Sequence, residues 1–201
     1  MPRAAHLLAR CSVIAAALAS SAGALAQDGE ASSEMAVTGT APQVCTIDNG
    51  RFRTGELVNF VGADSDTLRI IELVDPTLLS VQSASADIAF AAVCNFPHRI
   101  RLESQDNGLW PVNGPVSADN ADFATALPYS AGFVWADRTQ TLEMDAKIRQ
   151  SRVVVADIDE PAAGEVVISV NVDAGASNTR IGAPLLAGAY VDNLRIFLEP
   201  R

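Results

Sequence analysis

Ala86-Asp87-Ile88-Ala89-Phe90-Ala91-Ala92-Val93-Cys94 is the stretch on which the fold turns. Ile88, Phe90, Ala92 and Cys94 fall on one side of a period-2 repeat, and Asp87 stands on the other with small or apolar residues. That alternation marks a strand with one face against a core. After Asn95-Phe96-Pro97 it resumes: His98, Ile100 and Leu102 face one way, and Arg99, Arg101 and Glu103 the other. Two such runs in close succession predict two half-buried strands.

Outward from this pair the same grammar continues. Tyr129, Ala131, Phe133 and Trp135 form another period-2 face, with Trp135 expected in the core. Arg152 to Ile158 and Glu165 to Asp173 are rich in Val and Ile, which suit a pleated surface. Asp159-Glu160-Pro161-Ala162-Ala163-Gly164 between them reads as a turn. Leu68 to Val74 is expected as a further strand. Gly188 to Glu199 is expected as the last, with Tyr190, Leu194, Ile196 and Leu198 on one face. No segment carries a sustained i, i+3, i+4, i+7 pattern; Thr141 to Gln150 is the best helical stretch, through Leu142, Ala146 and Ile148. Many short strands without long helices predict an all-β chain, an antiparallel sandwich or barrel.

The first 26 residues stand apart from this pattern. Arg3 and Arg10 form a basic start without acids, Val13 to Ala19 is a short apolar run, and Ala24-Leu25-Ala26 fits cleavage before Gln27. The run is far shorter than the roughly 20 residues that span a bilayer, so residues 1–26 read as a signal peptide. The protein is expected to be exported to the periplasm, the cell surface or the medium. Residues 27–36 follow as a small, polar, flexible extension, and 37–201 as the sandwich domain, with no membrane span in the mature chain. The whole chain has 201 residues, 14 Lys+Arg against 24 Asp+Glu, and a net charge of −10. Loss of Arg3 and Arg10 takes the mature chain to −12. Such acidity argues against nucleic acid and anionic lipid as partners, since both need a basic surface.

Export also sets the meaning of the cysteines. Cys11 leaves with the signal, and Cys45 and Cys94 remain as an even pair in an oxidising compartment, so they are expected to be bonded. A metal site is the rival use, but no C-x-x-C is present and His98 is the only mature histidine.

Catalytic chemistry is hard to find. His98 is the sole mature base of its kind and shares a face with Ile100 and Leu102, which suits a hydrogen-bonded core histidine better than a general base. There is no G-x-S-x-G, H-E-x-x-H or G-x-G phosphate loop, and no cofactor motif. Asp64-Ser65-Asp66, Asp119-Asn120-Ala121-Asp122 and Asp157-Ile158-Asp159-Glu160 offer oxygen ligands, but none has EF-hand spacing. They read as solvated turns of an acidic chain.

Several segments resemble one family. Gly39-Thr40-Ala41-Pro42-Gln43-Val44-Cys45-Thr46-Ile47 resembles the opening strand of a pilin, where a Gly leads shortly to a Cys. Ala91-Ala92-Val93-Cys94-Asn95 with Arg99 to Ser104 resembles the second Cys strand and its neighbour in the spore coat protein U domain family. Asn107-Gly108-Leu109 is similar to that family's turn, and Ala187-Gly188-Ala189-Tyr190-Val191-Asp192-Asn193-Leu194-Arg195-Ile196 to its closing G-x-Y-x-D strand. The likeness runs in order from Val37 to Leu198. The family includes subunits of archaic chaperone–usher pili.

The resemblance implies an immunoglobulin-like antiparallel β-sandwich with one disulfide near its first strand. It implies a non-enzymatic structural subunit of a surface pilus or coat-like assembly, built by β-strand complementation. Its partners would be a periplasmic chaperone, an outer-membrane usher and other pilin-like subunits. The alternative is a stand-alone periplasmic or secreted β-sandwich binding module. Met35 and Val37 are the candidate strand-complementation residues, because the rest of the extension is polar. With so few apolar plugs, and with Pro200 unable to donate to a ladder, self-polymerisation is expected to be weak or absent.

Overall fold

The computed structural model describes residues 32–48, 51–64, 67–113 and 122–201, with side chains for all of these except 51–56 and 63–64. The expected signal peptide (1–26), residues 27–31 of the extension, and Ser65, Asp66, Asp119, Asn120 and Ala121 of the acidic clusters lie outside the described residues. Thirteen strands follow one another: Cys45–Ile47 (β1), Arg51–Val58 (β2), Phe60–Asp64 (β3), Thr67–Ile70 (β4), Ala84–Cys94 (β5), His98–Ser104 (β6), Trp110–Pro111 (β7), Tyr129–Trp135 (β8), Arg138–Met144 (β9), Arg152–Ile158 (β10), Ala162–Val172 (β11), Tyr190–Val191 (β12) and Leu194–Pro200 (β13). All pairings between these strands are antiparallel. Among the described residues there is no helix, so none is long and apolar enough to cross a membrane.

The larger sheet runs β1-β5-β11-β8-β9, with β2 also on β5, and the second runs β10-β6-β13. Alternation decides which faces meet. Ala84, Ala86 and Ala92 of β5, Val166 to Val172 by twos in β11, and Ala131, Phe133 and Trp135 of β8 face inward. Ile100 and Leu102 of β6 and Ala156 and Ile158 of β10 meet them from the other sheet. The result is an all-β antiparallel sandwich, as the sequence pattern predicts. The small alanines of β5 let the large rings of β8 occupy the middle.

Four expected elements differ. The turn expected over Asp159 to Gly164 is shorter, because β11 begins at Ala162, opposite Cys94. Thr141 to Gln150 is not helical: β9 continues to Met144, paired to β8, with Leu142 and Met144 buried and Thr141 and Glu143 exposed. Period-2 burial against β8 outweighs a weak helical spacing. The strand expected over Leu68 to Val74 ends at Ile70, and Ile71 is exposed. The closing segment splits: Tyr190–Val191 pairs with β7, while Leu194–Pro200 pairs with β6. Tyr190 therefore does not share a sheet with Leu194, Ile196 and Leu198.

Asp192 makes that split. Its Oδ2 accepts hydrogen bonds from the Ser104 hydroxyl at 2.6 Å and the Tyr129 hydroxyl at 2.7 Å, and its Oδ1 from the Asp106 N–H at 3.0 Å and the Asn193 N–H at 2.7 Å. Burial, and then the Asp192 charge, raise the Tyr129 phenol above its ordinary range, so it stays a donor. Asp192→Ala would leave buried donors on Ser104 and Tyr129 without an acceptor. The expected cost is about 3 kcal/mol, read as a lower urea midpoint at constant slope. A loss below about 1 kcal/mol would show that water replaces the carboxylate.

Candidate functional site

Two neighbouring features of the sandwich belong together. The first is the entry of the chain into β1. Cys45 lies directly across from Cys94, and the two form a disulfide with Cα atoms 4.2 Å apart. Such closeness belongs to a non-hydrogen-bonded pair of an antiparallel ladder, where the side chains approach most nearly. Asn95 then extends the ladder with its own side chain. Its N–H donates to the Val44 carbonyl at 3.2 Å, its Oδ1 accepts from the Val44 N–H at 2.8 Å, and its Nδ2 donates to the Pro42 carbonyl at 2.8 Å. The path of the chain is thereby fixed from Pro42 onward.

The second feature is the outer edge of β13. This strand pairs with β6 along its full length, from Leu194 opposite Ser104 to Pro200 opposite His98. Pro200 ends the strand, a place that tolerates a missing N–H. Among the described residues no strand pairs with the other edge; β1 approaches β13 without pairing. Burial follows from that gap. Leu102 and Ile100 in β6 are 1% and 0% exposed, yet their register partners Ile196 and Leu198 are only half-buried, as is Leu194. All three pack against the core. The sandwich thus carries a row of apolar side chains along an unpaired edge, and backbone groups on such an edge are a template for another strand.

The chain divides into a unit that ends at Thr40 and a unit Ala41–Arg201, and residues 32–40 carry no strand. Met35 and Val37 within them are 85% and 90% exposed.

His98 and the acidic cluster around Asp157, both candidates for chemistry on residue type, are engaged with neighbouring groups. His98 is fully buried; its Nε2 accepts from the Trp135 indole N–H at 2.8 Å, and its Nδ1 lies 2.9 Å from the Phe96 carbonyl. Only the neutral Nδ1–H form satisfies both partners, which leaves no nitrogen facing solvent. Asp157 is paired with Arg99 and Arg201, and Asp159 with Arg138 and Arg201. The hydrogen bond from Arg99 holds the Asp157 carboxyl below its ordinary range. Among the described residues no three His, Cys, Asp or Glu side chains gather as metal ligands.

The sequence did not announce Asn95 as a clamp; the nearest signal was an Asn immediately after a paired Cys. The open edge was foreshadowed only by analogy, since an unpaired strand and a paired one alternate alike. Comparison with known proteins finds no matching family model, no matching curated protein and no matching solved structure.

Proposed function

We propose that this protein is an exported, non-enzymatic structural subunit on an immunoglobulin-like sandwich, assembling as pilus or coat-like subunits do, by β-strand complementation. The observation that carries the reading is the half-buried row Leu194, Ile196 and Leu198 along the unpaired edge of β13. An added strand would bury that row and satisfy the edge. Met35 and Val37 are the apolar residues of an otherwise polar extension, which suits them to donation. Before assembly the open edge needs a cover, which is the part a periplasmic chaperone and an outer-membrane usher would play.

Alternate side chains of a donor fill successive pockets, and Met35 and Val37 have that spacing. Burying both would contribute roughly 3–5 kcal/mol. Met35→Asp with Val37→Asp should therefore weaken assembly by about a hundredfold or more. Sedimentation velocity on the chain from Gln27 reads this. Where two plugs alone would leave self-polymerisation weak, the apolar row along β13 offers them a seat, so at high concentration the unaltered chain should form a ladder of oligomers and the variant only monomer, with matching circular dichroism. An unaltered chain that stays monomeric at high concentration, or a variant that assembles equally well, overturns the reading.

A further inference from the structure

The two ends of the sandwich are unlike. At one, Cys45 faces Cys94 and the chain enters β1 through Pro42–Val44. At the other, β5 begins at Ala84 beside the end of β11 at Val172, and three loops meet. Main-chain hydrogen bonds tie them together: Leu185 N–H to the Leu79 carbonyl at 2.8 Å, Gly175 N–H to that of Val81 at 2.7 Å, and Ala124 N–H to that of Pro184 at 2.8 Å. These loops hold large apolar side chains in water. Ile181 is 90% exposed, Leu78 70% and Leu79 47%. Phe123 and Leu186 join them on the same loops.

The loops are shaped to do so. The Asp75 carboxylate accepts from the N–H groups of Thr77 and Leu78 at 2.8 Å each, and Leu79 N–H donates to the Asp75 carbonyl. Leu79 is thereby held at φ 55°, a left-handed conformation that a leucine rarely adopts. Gly175 and Gly182, both at positive φ, close the other turn through Gly182 N–H to the Gly175 carbonyl, with Ile181 exposed immediately before the closing glycine. Single apolar residues on a surface need no explanation, but a group of them on fixed turns at one end does.

Strand polarity and chain length name the occupant. Because β1 runs antiparallel to β5, the chain upstream of Cys45 leaves at the disulfide end. A copy that gives this segment to the edge of β13 in a second copy, and repeats by translation, must enter that second copy from the far end. Only Thr38 to Thr40 separate Val37 from the compact unit, which spans about 13 Å even when fully extended. With Val37 seated, the donor's disulfide end is pulled against its acceptor. We infer that the apolar end bearing Leu78, Leu79 and Ile181 is the seat for the disulfide end of the next copy, a heterologous contact that repeats along a fibre. Val44 and Val93, 45% and 49% exposed beside the disulfide, supply apolar surface to meet it. The inference rests on the strand-complementation reading above.

The test uses the full mature chain, with Leu78→Asp and Ile181→Asp together; both side chains are exposed, so the fold should be unchanged by circular dichroism. Sedimentation velocity should show the concentration needed for assembly raised at least tenfold. Mixing this variant with the Met35→Asp, Val37→Asp variant should give one-to-one dimers and nothing longer. The first still donates a tail and the second still offers an intact end. Assembly of the Leu78, Ile181 variant at unaltered concentration overturns the inference while leaving complementation standing; a mixture that stays monomeric overturns both, because an intact tail has then failed to engage an intact edge. Unaltered assembly with lost binding to apolar beads would assign the end to a different partner and overturn it equally. Assembly by the Met35, Val37 variant alone removes complementation itself, and the inference with it.

Discussion

Trp135→Ala is expected to cost the domain about 3–5 kcal/mol from the lost ring and its cavity, and more from the histidine it abandons. Trp135 is 2% exposed and packed in the main core. Its indole N–H is the donor to Nε2 of the fully buried His98, whose ring meets it edge-on at 6.0 Å between centroids. Removing the indole leaves a buried acceptor with nothing to accept, a penalty of roughly 1–3 kcal/mol. A domain of ordinary stability has only about 5–15 kcal/mol in total, so the alanine variant should be largely unfolded at 37 °C. Trp135→Phe separates the two effects, because it keeps most of the ring and loses the N–H. It should lower stability by about 1–3 kcal/mol. His98→Leu on that background should restore part of the loss, since it removes the stranded nitrogen. Urea unfolding of the four chains gives the coupling. If His98→Leu and Trp135→Phe prove strictly additive, the bond between the rings does not contribute to stability.

The sandwich was legible where one face of a strand is buried along its length. β6, β8 and β10 alternate, as does β11 from Val166, because each lies between an aqueous face and the core; β5 alternates except at its middle, where Ala89 is buried between the half-buried Ile88 and Phe90. β9 was not legible. Only Leu142 and Met144, at its end, point inward, and Arg138 to Thr141 are exposed, so polarity hides the strand. β2 and β3 were missed for another reason: register shifts between Phe52 and Leu57, and between Gly62 and Asp64, break the period. The split of the closing segment had a visible signal in Asp192, an acid in the apolar row that holds Tyr190 and Leu194. Its bonds to Ser104 and Tyr129 bridge chain separations of 88 and 63 residues, which no local pattern encodes.

The candidate site was legible in part and for the same reason. Met35 and Val37 stood out because their neighbours are polar. The unpaired edge of β13 is a property of what lies beside a strand, not of the strand. The apolar loops looked like turns, since Asp75-Pro76 and Gly182 mark turns whatever side chains they display. Hydrophobicity in a turn is a signal only once the turn is known to be at the surface.

Breaking the Cys45–Cys94 bond is expected to cost about 4 kcal/mol, the chain-entropy value for a separation of 49 residues. The loss should begin at β1. That strand has three residues and a single paired neighbour, so without the disulfide it keeps a short ladder to β5 and the bonds of Asn95. Cys94 is 1% exposed, and alanine in its place removes only one buried sulfur. Most of the effect therefore comes from the freedom returned to the unfolded chain and from fraying of β1. Two measurements separate these contributions. The urea midpoint of Cys45→Ala, Cys94→Ala against the oxidised protein reads the total. Hydrogen exchange at the Asp48 N–H, which donates to the Ala91 carbonyl at 2.9 Å, reads the local opening. Faster exchange there, with little change at β11, is the expected result. A loss below about 1 kcal/mol together with unchanged exchange would mean that Asn95 and the ladder suffice to hold β1. The disulfide would then have no part in fixing where the N-terminal segment leaves the domain.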